Sequence, residues 1–151
     1  MAADEPDLCQ VLVTADALHC QREHAAWLRE RGGHYLFTVK GNQPTLRRAL
    51  AVLPWAQAPR SRRRQRAHGR TESRSIKVID LEGTPAAALF PHATRAIKVV
   101  RRRRENRTGR TFTEIVYALT SLTYRQADPG LLAAWMQGHW DIENRVTTSA
   151  M

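Results

Sequence analysis

Two short apolar runs flanking one helical segment constrain this chain more than any other feature. Gln10-Val11-Leu12-Val13-Thr14 is short and β-branched, reads as a strand, and ends at the carboxylate of Asp16. A helical segment follows from about Gln21 to Arg31, with Ala25 and Leu28 on one face, and Gly32-Gly33 stops it. The second run, Tyr35-Leu36-Phe37-Thr38-Val39, delivers Lys40-Gly41-Asn42-Gln43-Pro44. Strand, crossover helix and strand make a βαβ unit with parallel strands and a right-handed connection. Open α/β sheets bind ligands outside the carboxyl ends of their strands. Asp16, Lys40, Asn42 and Gln43 all fall at that rim.

Charge says what meets the rim. The net charge is +10, from 24 Lys plus Arg against 14 Asp plus Glu. Most of these cations are arginines, whose planar fork suits phosphate, so the expected partner is a polyanion, with nucleic acid first. A basic surface that serves only solubility is the plain alternative. At 151 residues the chain can bury one modest core. It contains no apolar run near the ~20 residues of a membrane helix. The acidic start, Met1 to Asp7, lacks the apolar stretch of a signal peptide, so a cytoplasmic location without membrane contact is expected. Cys9 and Cys20 are too few for a disulfide framework, and with His19 and His24 they match no zinc spacing.

Along the rest of the chain, Pro44 opens a second helix over Thr45–Leu53, with Leu46, Leu50 and Leu53 at helical spacing. Pro54 to Pro59 breaks it. Arg60 to Arg74 is dominated by arginine and reads as a solvated loop. Ser75–Leu81 alternates like a strand, with Ile76 and Val78 on one face. Ile97 to Leu119 reads as an antiparallel hairpin turning at Asn106–Gly109, with Ile115, Tyr117 and Leu119 on one face. Arg101, Arg102, Arg103 and Arg104 approach its tip, and alternation lets about half of them face one way. Asp128-Pro129-Gly130 starts a last helix, on which Leu132, Met136, His139 and Glu143 share a face.

The order of these pieces resembles a known family. Val13-Thr14-Ala15-Asp16-Ala17-Leu18, then Gly33-His34-Tyr35-Leu36-Phe37-Thr38-Val39-Lys40-Gly41-Asn42-Gln43-Pro44-Thr45-Leu46, is similar to bacterial insertion-sequence transposases of the DDE class, ISAs type. His68-Gly69-Arg70-Thr71-Glu72-Ser73-Arg74 resembles the beginning of that family's β insertion. His139-Trp140-Asp141-Ile142-Glu143-Asn144 resembles its helix with the final catalytic Glu. The resemblance implies an α/β, ribonuclease-H-like fold with an inserted antiparallel β layer. It implies cleavage and strand transfer of double-stranded DNA at insertion-sequence ends with Mg²⁺, or Mn²⁺ in its place. Asp16 then stands as the second acid and Glu143 as the third, both catalytic and both metal ligands. Two divalent ions clamp the attacking and leaving oxygens of such a reaction and take hard oxygen donors. In the same frame Lys40, Asn42, Gln43, Arg70, Arg74, the Arg101–Arg104 run and His139 are expected to touch DNA.

The family's first Asp lies on an earlier strand, and no such strand precedes Gln10; Asp4 and Asp7 sit in a polar leader. After Glu143-Asn144 the sequence departs to Arg145-Val-Thr-Thr-Ser-Ala-Met151. The expectation is therefore a catalytic domain incomplete at both ends. It has a disordered leader at 1–9, a partial domain at 10–145 with its insertion at about 55–124, and an unstructured tail at 146–151. Such a fragment binds metal weakly, is inactive alone, and pairs with another copy or with full-length transposase. The alternatives are a non-catalytic DNA-binding remnant that interferes with full-length transposase, and a small RNA-binding module.

Overall fold

A computed structural model describes residues 7–9, 11–16, 22–41, 43–67, 69–88 and 90–138 of the protein. Strand β1 (Leu12–Asp16), helix α1 (Arg22–Glu30) and strand β2 (His34–Val39) form the expected unit. β1 and β2 are parallel, with Leu12 opposite His34 and Asp16 opposite Thr38. The strand runs two residues past the apolar segment, so Asp16 is its last residue. α1 ends where expected because Gly32 takes φ +83°, which favours glycine. The amides of Gly32 and Gly33 then bond back to the carbonyls of Arg29 and Leu28. Leu8 is fastened beside this turn, its amide donating to the Arg31 carbonyl.

Helix α2 (Pro44–Ala51) has proline in its first turn and buries Leu46 and Leu50. It stops two residues before the expected Leu53, which packs half-buried against the same core. A 3-10 turn, Trp55–Gln57, follows. Four long strands complete the sheet: β3 (Ser61–Ala67), β4 (Arg70–Asp80), β5 (Arg95–Glu105) and β6 (Thr111–Thr120).

The arginine-rich segment 60–74 is thus not a loop but a hairpin, with Gly69 at φ +72° in its turn. Its residues have little strand preference of their own. β4 pairs along its whole length with β5, and this ladder carries β3 with it. Strand preference follows the neighbouring strand more than the side chain.

Nor do these strands form a separate inserted layer. They join one six-stranded sheet in the order β1-β2-β6-β5-β4-β3. The seam is the antiparallel pairing of β6 with β2, Val39 opposite Tyr117 and Leu36 opposite Thr120. β5 and β6 form the expected hairpin around Asn106–Gly109.

Each face of the sheet is covered at its inner end. On one, Tyr35, Phe37, Val39, Tyr117 and Leu119 meet α1, α2 and the second 3-10 turn, Pro85–Ala88. Tyr35, Phe37 and Phe90 form an aromatic knot with ring centres 4.6–6.0 Å apart. The other face packs Leu36, Ile76, Ile97, Val99 and Ala118 against Leu132 and Met136 of a last helix, α3, described over residues 129–138. Asp128 caps α3, its Oδ1 accepting from the Leu131 amide at 2.8 Å. Ile115 shares the alternation of Tyr117 and Leu119 but lies beyond the covering helices and is exposed.

At the amino end of β2, His34 Nδ1 lies 2.9 Å from Ser121 Oγ, while Nε2 receives Arg29 and Gln126 at 3.2 and 3.1 Å. With Nδ1–H donating, the ring is neutral, and Ser121 Oγ accepts the Tyr35 amide in turn. Partial burial and the Arg29 cation push the His34 pKa below its ordinary 6.5. A folded state that resists this proton loses stability as pH falls below the unfolded value. The melting temperature is expected to drop from pH 7 toward 5 more steeply for the native chain than for His34→Gln. Parallel melting curves across that range would show that His34 does not titrate in this way.

Candidate catalytic rim and nucleic-acid interface

β1 and β2 are parallel, so Asp16 and Lys40 emerge at the same end of the sheet. Lys40 follows Thr38, the partner of Asp16, by two residues, about 7 Å along the strand. Lys40 is exposed, and its carbonyl accepts the Gln43 amide at 3.1 Å. The Gln43 carbonyl in turn receives Arg47 in the first turn of α2. The loop from strand to helix is held by these backbone bonds. Asn42, His139 and Glu143 lie outside the described residues.

Among the described residues no three of His, Cys, Asp and Glu gather into a metal site. The part described here supplies one carboxylate position, Asp16, at the strand terminus. Carboxylate is the donor type that Mg²⁺ takes, and the two expected ligands, Asp16 and Glu143, are both carboxylates.

β6, β5, β4 and β3 run on past the rim. Val39 is level with Tyr117, and β6 continues to Thr111, which carries the sheet roughly 20 Å beyond the end of β2. This arm bears the expected DNA-contacting arginines, and its register sorts them. Arg101, Arg103, Arg74 and Arg70 alternate with the face that packs α3. There Arg103 Nε lies 3.0 Å from Glu72, Arg74 reaches the same carboxylate at 3.7 Å, and Arg101 lies 3.4 Å from Glu114. Arg70 stands opposite Glu105. Arg102 and Arg104 point to the face that packs α1 and α2, and both are exposed.

That second face holds further cations, from the segment that reads as a loop and from β4 and β5. Arg62, Arg64 and Arg66 of β3 lie in register with Ser75, Ser73 and Thr71, and Lys77 stands opposite Lys98. The alternation of Arg62, Arg64 and Arg66 is visible in the sequence, but it carries meaning only once the segment is known to be a strand.

Comparison with known proteins bears on the family. The family model described as "Transposase DDE domain" matches residues 3–148. "Uncharacterized protein in dhlA 3'region" of Xanthobacter autotrophicus is 37% identical over 79 residues, 49% of this chain and 27% of that protein. "H repeat-associated putative transposase YbfD" of Escherichia coli K12 is 32% identical over 81 residues, 50% of this chain and 32% of its own length. "Putative transposase YncI" of Escherichia coli O157:H7 is 27% identical over 150 residues, 91% of this chain and 37% of its own. The chain thus spans 27–37% of the length of these relatives. No solved structure matches. A family model that runs through βαβ unit, arm and last helix alike leaves one assignment: the chain belongs to the transposase DDE domain family.

Proposed function

We infer that this chain forms part of the strand-cleaving and strand-transferring core of an insertion-sequence transposase of the ISAs type, built on a ribonuclease-H-like sheet. The observation that carries the reading is Asp16 at the carboxyl end of a parallel strand, beside Lys40, in a chain of this family. Asp16 and Glu143 are the acids that would hold divalent metal, and the domain is the segment 10–145. Bound Mg²⁺, or Mn²⁺, would stabilise charge on the oxygens of an in-line phosphoryl transfer. Lys40 neutralises a neighbouring phosphate, while Asn42 and Gln43 fix the register of the DNA backbone. Among the described residues β1 ends the sheet and has β2 as its one neighbour. A third carboxylate fits on a strand added to that edge, from the same polypeptide or from a partner copy.

The test is cleavage of duplex DNA ending in the insertion sequence's terminal repeats. The polypeptide bearing residues 1–151 is expected to need an added divalent metal and to lose cleavage with Asp16→Ala while still binding the duplex. Cleavage that persists in Asp16→Ala, or in excess chelator, would overturn the assignment. A non-catalytic DNA-binding remnant draws support from the basic arm alone. It predicts duplex binding with no cleavage under any metal, and inhibition of a full-length transposase by mixing.

A further inference from the structure

The strands of the arm separate their charges by face. The acids in β3 to β6 are Glu72, Asp80, Glu105 and Glu114, and the register puts every one on the face that packs α3. Five cations described there share that face: Arg70, Arg74, Arg95, Arg101 and Arg103. The opposite face carries Arg62, Arg64, Arg66, Lys77, Lys98, Arg102 and Arg104 and no acid from these strands. Like charges within cross-strand reach repel, as with Lys77 opposite Lys98. Solubility alone would be served as well by mixing the signs. A one-sided cationic face costs stability until a polyanion meets it.

Its shape suits such a partner. β4 presents only Thr71, Ser73 and Ser75 between the arginines of β3 and those of β5. Small hydroxyl residues flanked by long cations make a shallow groove, lined by Arg60, Arg62, Ser73, Ser75, Lys98 and Arg102. Lys77 anchors the inner end, its Nζ donating to the Trp55 carbonyl at 2.8 Å. Guanidinium and hydroxyl donors are the groups that hold DNA phosphates. Cations on one face recur about every 7 Å along a strand. The groove begins in the rows just beyond the rim that carries Asp16 and Lys40.

We propose that this groove, and not the α3-packed face, is a track for the phosphate backbone of a DNA duplex. The proposal rests on the DNA-processing function and names the surface that serves it. Arg101, Arg103 and Arg74 brace the arm through Glu72 and Glu114, while Arg102, Arg104 and the β3 arginines carry the DNA.

Fluorescence anisotropy of a labelled duplex, titrated at several salt concentrations with the whole chain, tests it. Arg64→Gln with Arg102→Gln and Arg104→Gln should reduce the slope of log affinity against log salt by up to about 2.7, some 0.9 per lost contact. Arg62→Gln with Arg64→Gln and Arg66→Gln, confined to β3, should act similarly. Arg70→Gln with Arg74→Gln and Arg103→Gln removes the same charge from the other face and should shift the slope by less than about 0.9. Unchanged melting curves for the exposed β3 variant keep folding out of the comparison. Equal losses from both faces would overturn the groove while leaving DNA as the partner. A native chain that binds no duplex DNA, or that prefers an RNA duplex through the same arginines, would overturn the groove as a DNA track and the proposed function with it.

Discussion

Asp16→Asn is expected to lower metal-dependent strand cleavage by more than about 100-fold, since even outer partners of a metal site bring losses of 10–100-fold. Asparagine keeps the size and one carbonyl oxygen of the side chain but removes the charge. A hard divalent cation then loses anionic attraction with little change in shape. The backbone should not register the exchange, because Asp16 is held in the sheet by its pairing with Thr38. Duplex binding should stay within about twofold, because phosphate contacts by cations dominate affinity. Cleavage assays and anisotropy on one preparation give both numbers. A variant that loses binding and cleavage together would move Asp16 from the chemistry to the fold.

Arg95→Ala should destabilise the fold by about 3 kcal/mol, a fall in melting temperature of roughly 6–12 °C. Arg95 is 2% exposed at the start of β5. Its Nε donates to the Leu122 carbonyl at 2.9 Å and Nη2 to the Thr123 carbonyl at 3.1 Å. Burial pushes its pKa down from the usual arginine range, while Asp80, Asp128 and Tyr124 hold it up. The side chain thus ties the segment after β6 to the sheet, and that segment ends in Asp128, the cap of α3. Alanine would leave two carbonyls short of a charged donor and two carboxylates short of a cation. Arg95→Lys, keeping the charge but not the fork, should lose about half as much. A melting temperature for Arg95→Ala within 2 °C of the native chain would contradict this role.

The two residues differ in how far the sequence exposes them. Val11 to Val39 was legible as a parallel pair because its apolar runs are short, β-branched and separated by one helix with a glycine stop. The rim position of Asp16 follows from that pattern, but the chemical role proposed for it comes from resemblance to a family. Asp128 and Pro129 announced α3 by cap chemistry that needs no tertiary partner. The segment 60–74 reads as a loop because its strand character comes from β4 and β5 rather than from its own residues. Alternation in Arg101–Arg104 was readable too. Which pair is braced by carboxylates depends on Glu72 and Glu114, brought alongside by register. The joining of arm and βαβ unit into one sheet rests on four residue pairs between β2 and β6, far apart in sequence and without a local signal.

That seam also sets the mechanics. β5 and β6 run unbroken from the core, at Arg95 and Thr120, out to the tip at Glu105 and Thr111. At the far end the two hairpins are tied together, the Asn106 amide bonding to the Gly69 carbonyl at 3.0 Å and Thr71 reaching the Asn106 side chain at 3.1 Å. Bending the arm against the rim would break rungs of a continuous ladder, so the two turn together as a lever with no joint. Torque applied at the tip reaches the end of β2 through hydrogen bonds alone. Amide protons along β5 and β6 should therefore exchange as one slow block from core to tip, rather than loosening at the point where the arm leaves the helices.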